Sequence, residues 1–327
     1  DDAVPEPTWL NYLVAGFEQS DVSASGGFVI GRNGISFQWR ARSVDCFGVA
    51  ADLAVDETKT SVLTPQNGRA IKTEGTNMAF RREVLAQIGG FDPAFKFYLD
   101  ETDVNFRLAK LGHRTAIAPL AQVHHGYKAS AMRRSDRAPK DLFEIGASLV
   151  VYLRKHAPLD RHKGAISMAR TEQRLRALRH MVSGALEPRD VTRLLRRFNA
   201  GIDAGVKRSI SVRAALPHAR VGFQRFPKRY SGEHRVFCGT RSELKHLIEI
   251  ANGAVHTGQR ASVFAFSYTA RPHKVRFTKT GVWLQTGGMF GRSIRTGRRF
   301  NLRSRDSAYA LELKRLAVLR KFRALRD

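Results

Sequence analysis

The segment from Glu74 to Tyr127 constrains the fold more than any other part of this chain. It contains a polar turn, two predicted helices each followed by glycine, and a strand expected to end at Pro119. The helices are predicted over Arg82–Ile88 and Glu101–Leu111. Strand and helix signals alternate in this way throughout residues 1–130, which predicts an α/β fold.

Length and composition limit the broad class of the protein. The 327 residues are 43% hydrophobic, which is enough for packed cores, and the length indicates two domains. No apolar run has the length of a membrane span, and no signal peptide is visible. Cys46 and Cys238 lie far apart without a C-x-x-C partner, which favours a reducing, cytoplasmic compartment over a disulfide framework.

The basic charge is concentrated in the second part of the chain. The net charge is +27, yet residues 1–130 carry 13 basic and 15 acidic side chains, and residues 131–327 carry 43 basic and 14 acidic ones. Such a surface attracts polyanions such as nucleic acid, anionic lipid or acidic glycans, although a solvated face that serves solubility would have the same composition.

An acidic cluster opens the second predicted helix, with Asp100, Glu101 and Asp103 in its first turn. Acids at this place cap free N–H groups and oppose the helix dipole, and Asp103 is spaced to pair with Arg107. The same carboxylates could instead remove a proton from a substrate hydroxyl. The cluster alone leaves both interpretations open.

Four short motifs together resemble the acceptor-side half of family 2 glycosyltransferases, which have the GT-A fold. They are G-T-N-M-A-F-R-R (75–82), G-G-F-D (89–92), D-E-T-D (100–103) and P-L-A-Q-V-H-H (119–125). The resemblance implies a partial GT-A domain over residues 1–156 whose N-terminal nucleotide-binding half is missing, so that this chain alone is expected to be inactive or weakly active. Residues 157–232 are predicted to be a basic helical connector, and residues 233–327 a small basic α/β domain of unknown role.

The resemblance assigns catalytic roles within the acidic cluster. The family places its catalytic base at the second acidic position, which is Glu101 here, where many relatives have aspartate. Asp103 is expected to orient the helix and its neighbours, and Asp100 to contact hydroxyls of the acceptor.

A metal site is implied by two further matches. The start of the chain, Asp1-Asp2-Ala-Val-Pro-Glu-Pro7, resembles the tail of the family's D-x-D motif, with Asp2 on the second metal-binding aspartate and Asp1 on the middle position. His125 fits the histidine that reaches the metal or the diphosphate, and His124 does not fit that register. The expected cofactor is a divalent cation, Mg²⁺ or Mn²⁺, which stabilises the departing diphosphate.

The substrate pocket is expected to be lined by glycines and small polar residues. By resemblance, Gly75, Thr76 and Asn77 lie between donor sugar and acceptor, and Gly27 belongs to a turn beneath the donor. Trp39 could stack on a sugar, although a core position is the simpler expectation.

The implied function is metal-dependent, inverting transfer of a sugar from a nucleotide-diphosphate sugar to a hydroxyl of a polysaccharide, lipid-linked glycan or other cell-envelope acceptor. The basic second part would hold the protein at the inner face of the plasma membrane. The alternatives are a basic nucleic-acid-binding protein and a non-catalytic scaffold. Nucleic acid is not the expected partner, because no known nucleic-acid motif is present and the aromatic side chains are not interleaved with basic ones.

Overall fold

The structure, a computed structural model, describes residues 2–126, 129–210, 213–218, 220–225, 230 and 232–322. Asp1, the predicted middle position of the metal motif, lies outside the described residues. The described chain is an α/β protein with three sheets, which confirms the predicted fold class.

The main sheet of the N-terminal part has six strands around one parallel pair. In chain order the strands of this part are β1 (Ala3–Pro5), β2 (Val22–Ile30), β3 (Phe37–Trp39), β4 (Arg42–Val44), β5 (Ala50–Asp52), β6 (Ser61–Leu63), β7 (Ala70–Lys72), β8 (Met78–Phe80) and β9 (Arg114–His125). The sheet order is β1-β9-β2-β3, with β6 also on β9 and β8 also on β2. Only β2 and β9 run parallel within it, while β5-β4-β7 form a separate antiparallel sheet.

Two local predictions in this sheet were wrong. The turn expected at Gly26-Gly27 is part of strand β2, and β9 continues past Pro119 to His125. Between the pairs Gly27–Ala118 and Val29–Val123 the register shifts, so Pro119 lies in a bulge of β9. A proline there removes no ladder hydrogen bond, and the strand resumes beyond it.

Three helices accompany the main sheet, and three more form a layer beside it. They are α1 (Trp9–Ala15), α2 (Arg82–Gln87), α3 (Asp100–Lys110), α4 (Phe143–His156), α5 (His162–Val182) and α6 (Pro188–Lys207). The predicted helices over 82–88 and 101–111 agree with α2 and α3 to within one residue at each end.

Helices α4, α5 and α6 share a hydrophobic core with the N-terminal sheets. Leu153 of α4 and Phe198 of α6 are fully buried in a cluster that also contains Val44 and Phe106. Helices α4 and α6 approach closely at Gly201, where a Cβ atom would lie 2.0 Å from the carbonyl oxygen of Phe143. Packing is therefore continuous across the predicted domain boundary at residue 156, which itself stays a prediction.

The C-terminal unit is a four-stranded sheet between two helices. Its elements are β10 (His234–Thr240), α7 (Leu244–His256), β11 (Arg260–Ser267), β12 (Lys274–Phe277), β13 (Val282–Gly288) and α8 (Arg305–Arg320), with sheet order β10-β11-β13-β12. Leu247 of α7 packs on one face of the sheet, and Leu316 of α8 packs on Phe264 and Phe266 of the other.

The C-terminal unit contacts the N-terminal part directly. The backbone N–H of Val275 donates to the carbonyl oxygen of Asn33 at 3.0 Å, and that of Thr8 donates to Leu319 at 3.1 Å. The second contact fixes the end of α8 beside the chain that follows β1. Among the described residues, no helix combines the length and the apolar character needed to cross a membrane.

Candidate active site

Glu101 lies at the start of α3 and faces a lysine. Lys72, at the end of β7, donates from Nζ to Glu101 Oε1 at 2.9 Å and to Glu74 Oε2 at 3.2 Å. Glu101 is partly exposed, with 18% of its side chain accessible. The carboxylate is therefore held by a charge-assisted hydrogen bond and remains open to an incoming group.

The backbone before Glu101 is strained. Tyr98 and Leu99 have φ angles of 74° and 66°, a left-handed conformation that non-glycine residues rarely adopt. Two successive residues of this kind cost free energy that the surrounding structure must offset, and such residues cluster at functional sites. The strain sets the direction in which the first turn of α3 presents Asp100 and Glu101.

The two adjacent carboxyl groups titrate as a pair. Burial, followed by the charge of Glu101, raises the pKa of Asp100 to about 6. Burial alone would also raise the pKa of Glu101, but the charge of Lys72 and its hydrogen bond lower it. Because the groups are hydrogen-bonded to each other, they titrate as a pair, and the last proton leaves it with the pKa of about 6 that Asp100 shows.

Asp103 occupies a fully buried position in the first turn of α3. Its carboxylate accepts from Arg107 Nε at 2.8 Å, lies 2.7 Å from Lys155 Nζ and lies 2.8 Å from His156 Nε2. The network ties α3 to the C-terminal end of α4. Asp103 therefore joins α3 to α4 through buried ion pairs.

Of the three predicted pocket residues, Gly75 and Thr76 keep some exposure to solvent and stay predictions, whereas Asn77 is buried. Gly75 is exposed, and a Cβ atom there would lie 4.0 Å from the side chain of Glu101. Asn77 is buried: Nδ2 donates to the carbonyl oxygens of Phe28 at 3.0 Å and Ala121 at 2.7 Å, and Oδ1 accepts from Trp9 at 2.7 Å. The predicted contact of Asn77 with a sugar hydroxyl is corrected, because its amide is already engaged.

Gly27 has a packing role in the sheet. A Cβ atom at this position would lie 1.9 Å from the carbonyl oxygen of Ala121 and 2.5 Å from Asn77 Nδ2. Only glycine lets β2 and β9 approach this closely around the bulge. The expected turn beneath the donor is corrected to a strand position whose neighbours include Asn77.

Asp2 and His125 meet at one edge of the sheet. Residues Ala3 and His125 are register partners of the antiparallel strands β1 and β9, and Asp2 precedes β1. Asp2 Oδ1 lies 3.4 Å from His125 Nε2, and its other oxygen lies 3.7 Å from Arg133 Nη2. His125 Nδ1 is 3.0 Å from Gln38 Oε1.

His124 points into a different environment. Its Nε2 lies 2.9 Å from Glu6 Oε1, and its ring centroid lies 4.9 Å from that of Trp283 in the C-terminal unit. His124 thus belongs to the contact between the two parts of the protein, while His125 faces Asp2.

Arg42 and Trp39 connect the two groups of predicted site residues. Arg42 Nε donates to Glu74 Oε1 at 3.0 Å, and its guanidinium lies 5.5 Å from the ring centroid of Trp39. The Trp39 ring in turn lies 6.0 Å from His125. Contacts therefore run without a gap from Glu101 through Lys72 and Glu74 to Arg42, Trp39, His125 and Asp2.

Lys72, Glu74 and Arg42 were not among the residues predicted for the site. Lys72 is the last residue of β7 and Glu74 follows it by two positions, so alternation along an extended chain puts these two side chains on the same face. That spacing could have identified Lys72 and Glu74. Trp39 is half-buried, so the expected core position is also corrected.

A sequence profile of the family described as glycosyltransferase-like family 2 matches residues 1–138. This N-terminal part belongs to the family 2-like glycosyltransferases. The glycosyltransferase region contains all nine predicted site residues and ends just before α4. The family assignment implies, in general terms, a nucleotide-sugar donor and a glycan acceptor for this transferase. A search of curated proteins found no significant match.

Proposed function

We propose that the glycosyltransferase region catalyses inverting, metal-dependent transfer of a sugar from a nucleotide-diphosphate sugar to an acceptor hydroxyl, with Glu101 as the base. The observation that carries this proposal is the unbroken line of contacts between Glu101 and Asp2. At one end Glu101 provides a partly exposed carboxylate, and at the other end Asp2 and His125 provide ligands for a cation.

Glu101 has the properties that the acceptor step requires. Lys72 lowers its pKa, so that it is ionised at neutral pH and can accept a proton. The hydroxyl loses that proton to the carboxylate as its oxygen attacks the anomeric carbon, and the bond to the diphosphate oxygen breaks on the opposite face of the sugar. A single displacement of this kind inverts the anomeric configuration.

Asp2 and His125 form a suitable partial ligand set for a divalent cation. Burial lowers the pKa of His125, so its ring is neutral near pH 7 and carries one hydrogen. Its Nε2 lies 3.4 Å from Asp2 Oδ1, so a ring nitrogen and a carboxylate oxygen, two ligand types of divalent cations, lie side by side. An imidazole–carboxylate pair suits Mn²⁺ better than Mg²⁺.

The described residues leave room for phosphate ligands at such a cation. No group of three or more His, Cys, Asp or Glu side chains within the described ranges could enclose a metal ion. Sites for nucleotide-bound cations typically use one or two protein carboxylates and complete the coordination with phosphate oxygens. A cation bound there would stabilise the negative charge of the leaving diphosphate.

The acceptor in this proposal is a growing polysaccharide, a lipid-linked glycan or another cell-envelope glycan. The 43 basic side chains of residues 131–327, against 14 acidic ones, would favour a position at an anionic membrane surface, on the cytoplasmic side. Binding of the full-length protein to vesicles with and without anionic lipid would test this part separately.

The deciding experiment compares Glu101→Gln with the wild type and with Glu83→Gln, a change of an exposed glutamate on α2. The full-length protein would be supplied with labelled nucleotide sugars, Mn²⁺ and membrane glycans. We expect kcat to fall by about 10²- to 10⁴-fold in Glu101→Gln only, as for loss of a general base. Unchanged turnover in that variant, or a product with retained anomeric configuration, would refute the proposal.

A further inference from the structure

A cavity of about 420 Å³ lies between α5 and the segment that follows β9. The cavity is lined by Asp136, Arg137, Arg176, Arg179, His180 and Ser183. The lining contains three arginines and one aspartate, so it carries a net positive charge. The volume is within the range of small-ligand sites and exceeds that of a phosphate group.

Arg176 is a partly buried cation that forms no ion pair with the described residues. Its Nη1 makes one long hydrogen bond, 3.4 Å to Gln173 Oε1. Throughout the described chain no carboxylate oxygen lies within the 4.0 Å limit of an ion pair with it. A guanidinium withdrawn from water in this way costs free energy unless an anion compensates it.

The surroundings of Arg176 lower its pKa on balance. Burial and then the charge of Arg137 lower it, whereas Tyr98 and Glu172 act in the opposite direction. Burial and then Arg176 lower the pKa of His180, which is therefore neutral near pH 7. The only acid in the lining, Asp136, pairs with Arg134 at 3.0 Å and accepts from the backbone of Ala138. A bound anion would lower the repulsion between Arg137 and Arg176.

The segment opposite Arg176 is held in one conformation. Arg137 has a φ angle of 75°, and its N–H donates to the carbonyl oxygen of Arg134 at 3.0 Å. Arg134 Nη1 donates to the carbonyl oxygen of Ala185, just beyond α5, at 3.1 Å. The loop is thus tied to the helix, and the cavity between them is part of the fold.

The cavity lies beside the candidate active site. Arg133, three residues before Asp136 in the segment that lines the cavity, lies 3.7 Å from Asp2. Arg133, which faces Asp2, also contributes to the lowered pKa of Arg176. The cavity lining and the Asp2 end of the site are therefore joined through one segment of the chain.

We propose that this cavity is an oxyanion site in which Arg176 and Arg179, with Arg137, bind a phosphate or diphosphate group. Arginine forms paired, charge-assisted hydrogen bonds with phosphate oxygens, and three such groups converge here. The phosphate can come from two sources, the diphosphate of the donor or a phosphate carried by the acceptor. Phosphate binding by the cavity does not depend on the proposed transferase function. The choice between donor and acceptor as the source of the phosphate does depend on it.

The test measures binding without turnover. Pyrophosphate and inorganic phosphate would be titrated calorimetrically into the full-length protein and into Arg176→Gln, Arg179→Gln and Arg174→Gln. Arg174 is the control, because it is an exposed arginine of the same helix that does not line the cavity. We expect pyrophosphate affinity to fall by about 10- to 100-fold in the first two variants and to be unchanged in the control.

Two further ligands identify the source. A weaker affinity of Arg176→Gln for a nucleoside diphosphate would assign the phosphate to the donor. A weaker affinity for glycerol 3-phosphate, with nucleoside diphosphate binding unchanged, would assign it to the acceptor. Equal affinity of all variants for all four ligands would overturn the proposal. Because Arg179 is exposed, Arg179→Gln should fold normally, so a loss of affinity in this variant would not be due to misfolding.

The result of the phosphate-binding experiment can be distinguished from the result of the transferase experiment. Glu101 is not part of the cavity lining, so Glu101→Gln is expected to bind pyrophosphate as the wild type does. A protein that binds pyrophosphate through Arg176 but turns over independently of Glu101 would refute the proposed mechanism and leave the oxyanion site standing.

Discussion

Arg320 and Glu6 form a fully buried ion pair between residues that are 314 positions apart in the sequence. Nε and Nη2 of Arg320 donate to the two oxygens of Glu6, each at 2.9 Å. Arg320 also donates to Ser262 Oγ at 3.1 Å, and its guanidinium lies 4.5 Å from the ring centroid of Trp283. The last turn of α8 is thereby fixed to the chain that follows Asp2.

We expect Arg320→Met to destabilise the protein strongly. The change leaves Glu6 as a buried carboxylate that has lost its main partner, at a cost of about 3–5 kcal/mol in the free energy of unfolding. Chemical denaturation would measure this. Arg305→Ala, an exposed arginine of the same helix, should change stability by less than ~0.5 kcal/mol. Similar losses in the two variants would show that the pair has no special role.

The same variant should show a distinct dependence on pH. Burial would raise the pKa of Glu6, but Arg320 lowers it well below its ordinary value. The pair therefore stabilises the fold above the unfolded pKa of about 4.3 and loses that contribution as the pH falls further. The stability difference between wild type and Arg320→Met should shrink between pH 7 and pH 3. A difference that is constant with pH would contradict this assignment.

Lys72→Met should shift the pH profile of the transfer reaction. Lys72 lowers the pKa of Glu101, so its removal makes the Asp100–Glu101 pair lose its proton at higher pH. A base works only when unprotonated, so activity rises with pH through this pKa. We expect the acidic limb of kcat/KM to move up by about 1 unit. Lys59→Met, at an exposed position, should leave the pH profile of kcat/KM unchanged. Identical pH profiles for the wild type, Lys72→Met and Lys59→Met would show that Lys72 does not control the pKa of the base.

His125→Ala should weaken Mn²⁺ binding, because it removes one of the two proposed protein ligands. We expect the Mn²⁺ concentration for half-maximal activity to rise by at least ~10-fold. Electron paramagnetic resonance of bound Mn²⁺ gives a second measurement that does not need turnover. His113→Ala, whose histidine bonds to Ser23 elsewhere, is the control. Equal Mn²⁺ affinity in both variants would exclude His125 as a ligand.

Gly27→Ala should destabilise the main sheet. Its Cβ atom would lie 1.9 Å from the Ala121 carbonyl oxygen, so β2 and β9 would have to separate. We expect a loss of about 2 kcal/mol or more, in the range of overpacked cores. Gly164→Ala on α5 meets no atom within 4 Å and should raise stability by up to ~1 kcal/mol. Thermal unfolding would compare the two, and a neutral Gly27→Ala would contradict the close strand contact.

The motifs predicted the local elements of the site better than the partners of individual side chains. Helices α2 and α3 agree with their predicted bounds because glycines and acids mark helix ends locally. Asn77 was predicted to bind sugar, yet its amide is engaged by Trp9, Phe28 and Ala121. A polar residue in a turn looks the same in sequence whether it faces a ligand or the protein interior.

The sequence by itself determined the α/β class, the family of the N-terminal part and the acidic residues at the start of α3. These follow from local periodicity, capping chemistry and short motifs. Only the tertiary structure decided that Lys72 faces Glu101, that Asp103 is buried, and that Arg320 meets Glu6. Such pairings depend on which distant strands and helices pack together, and charge interactions act through space with no signature in the order of residues along the chain.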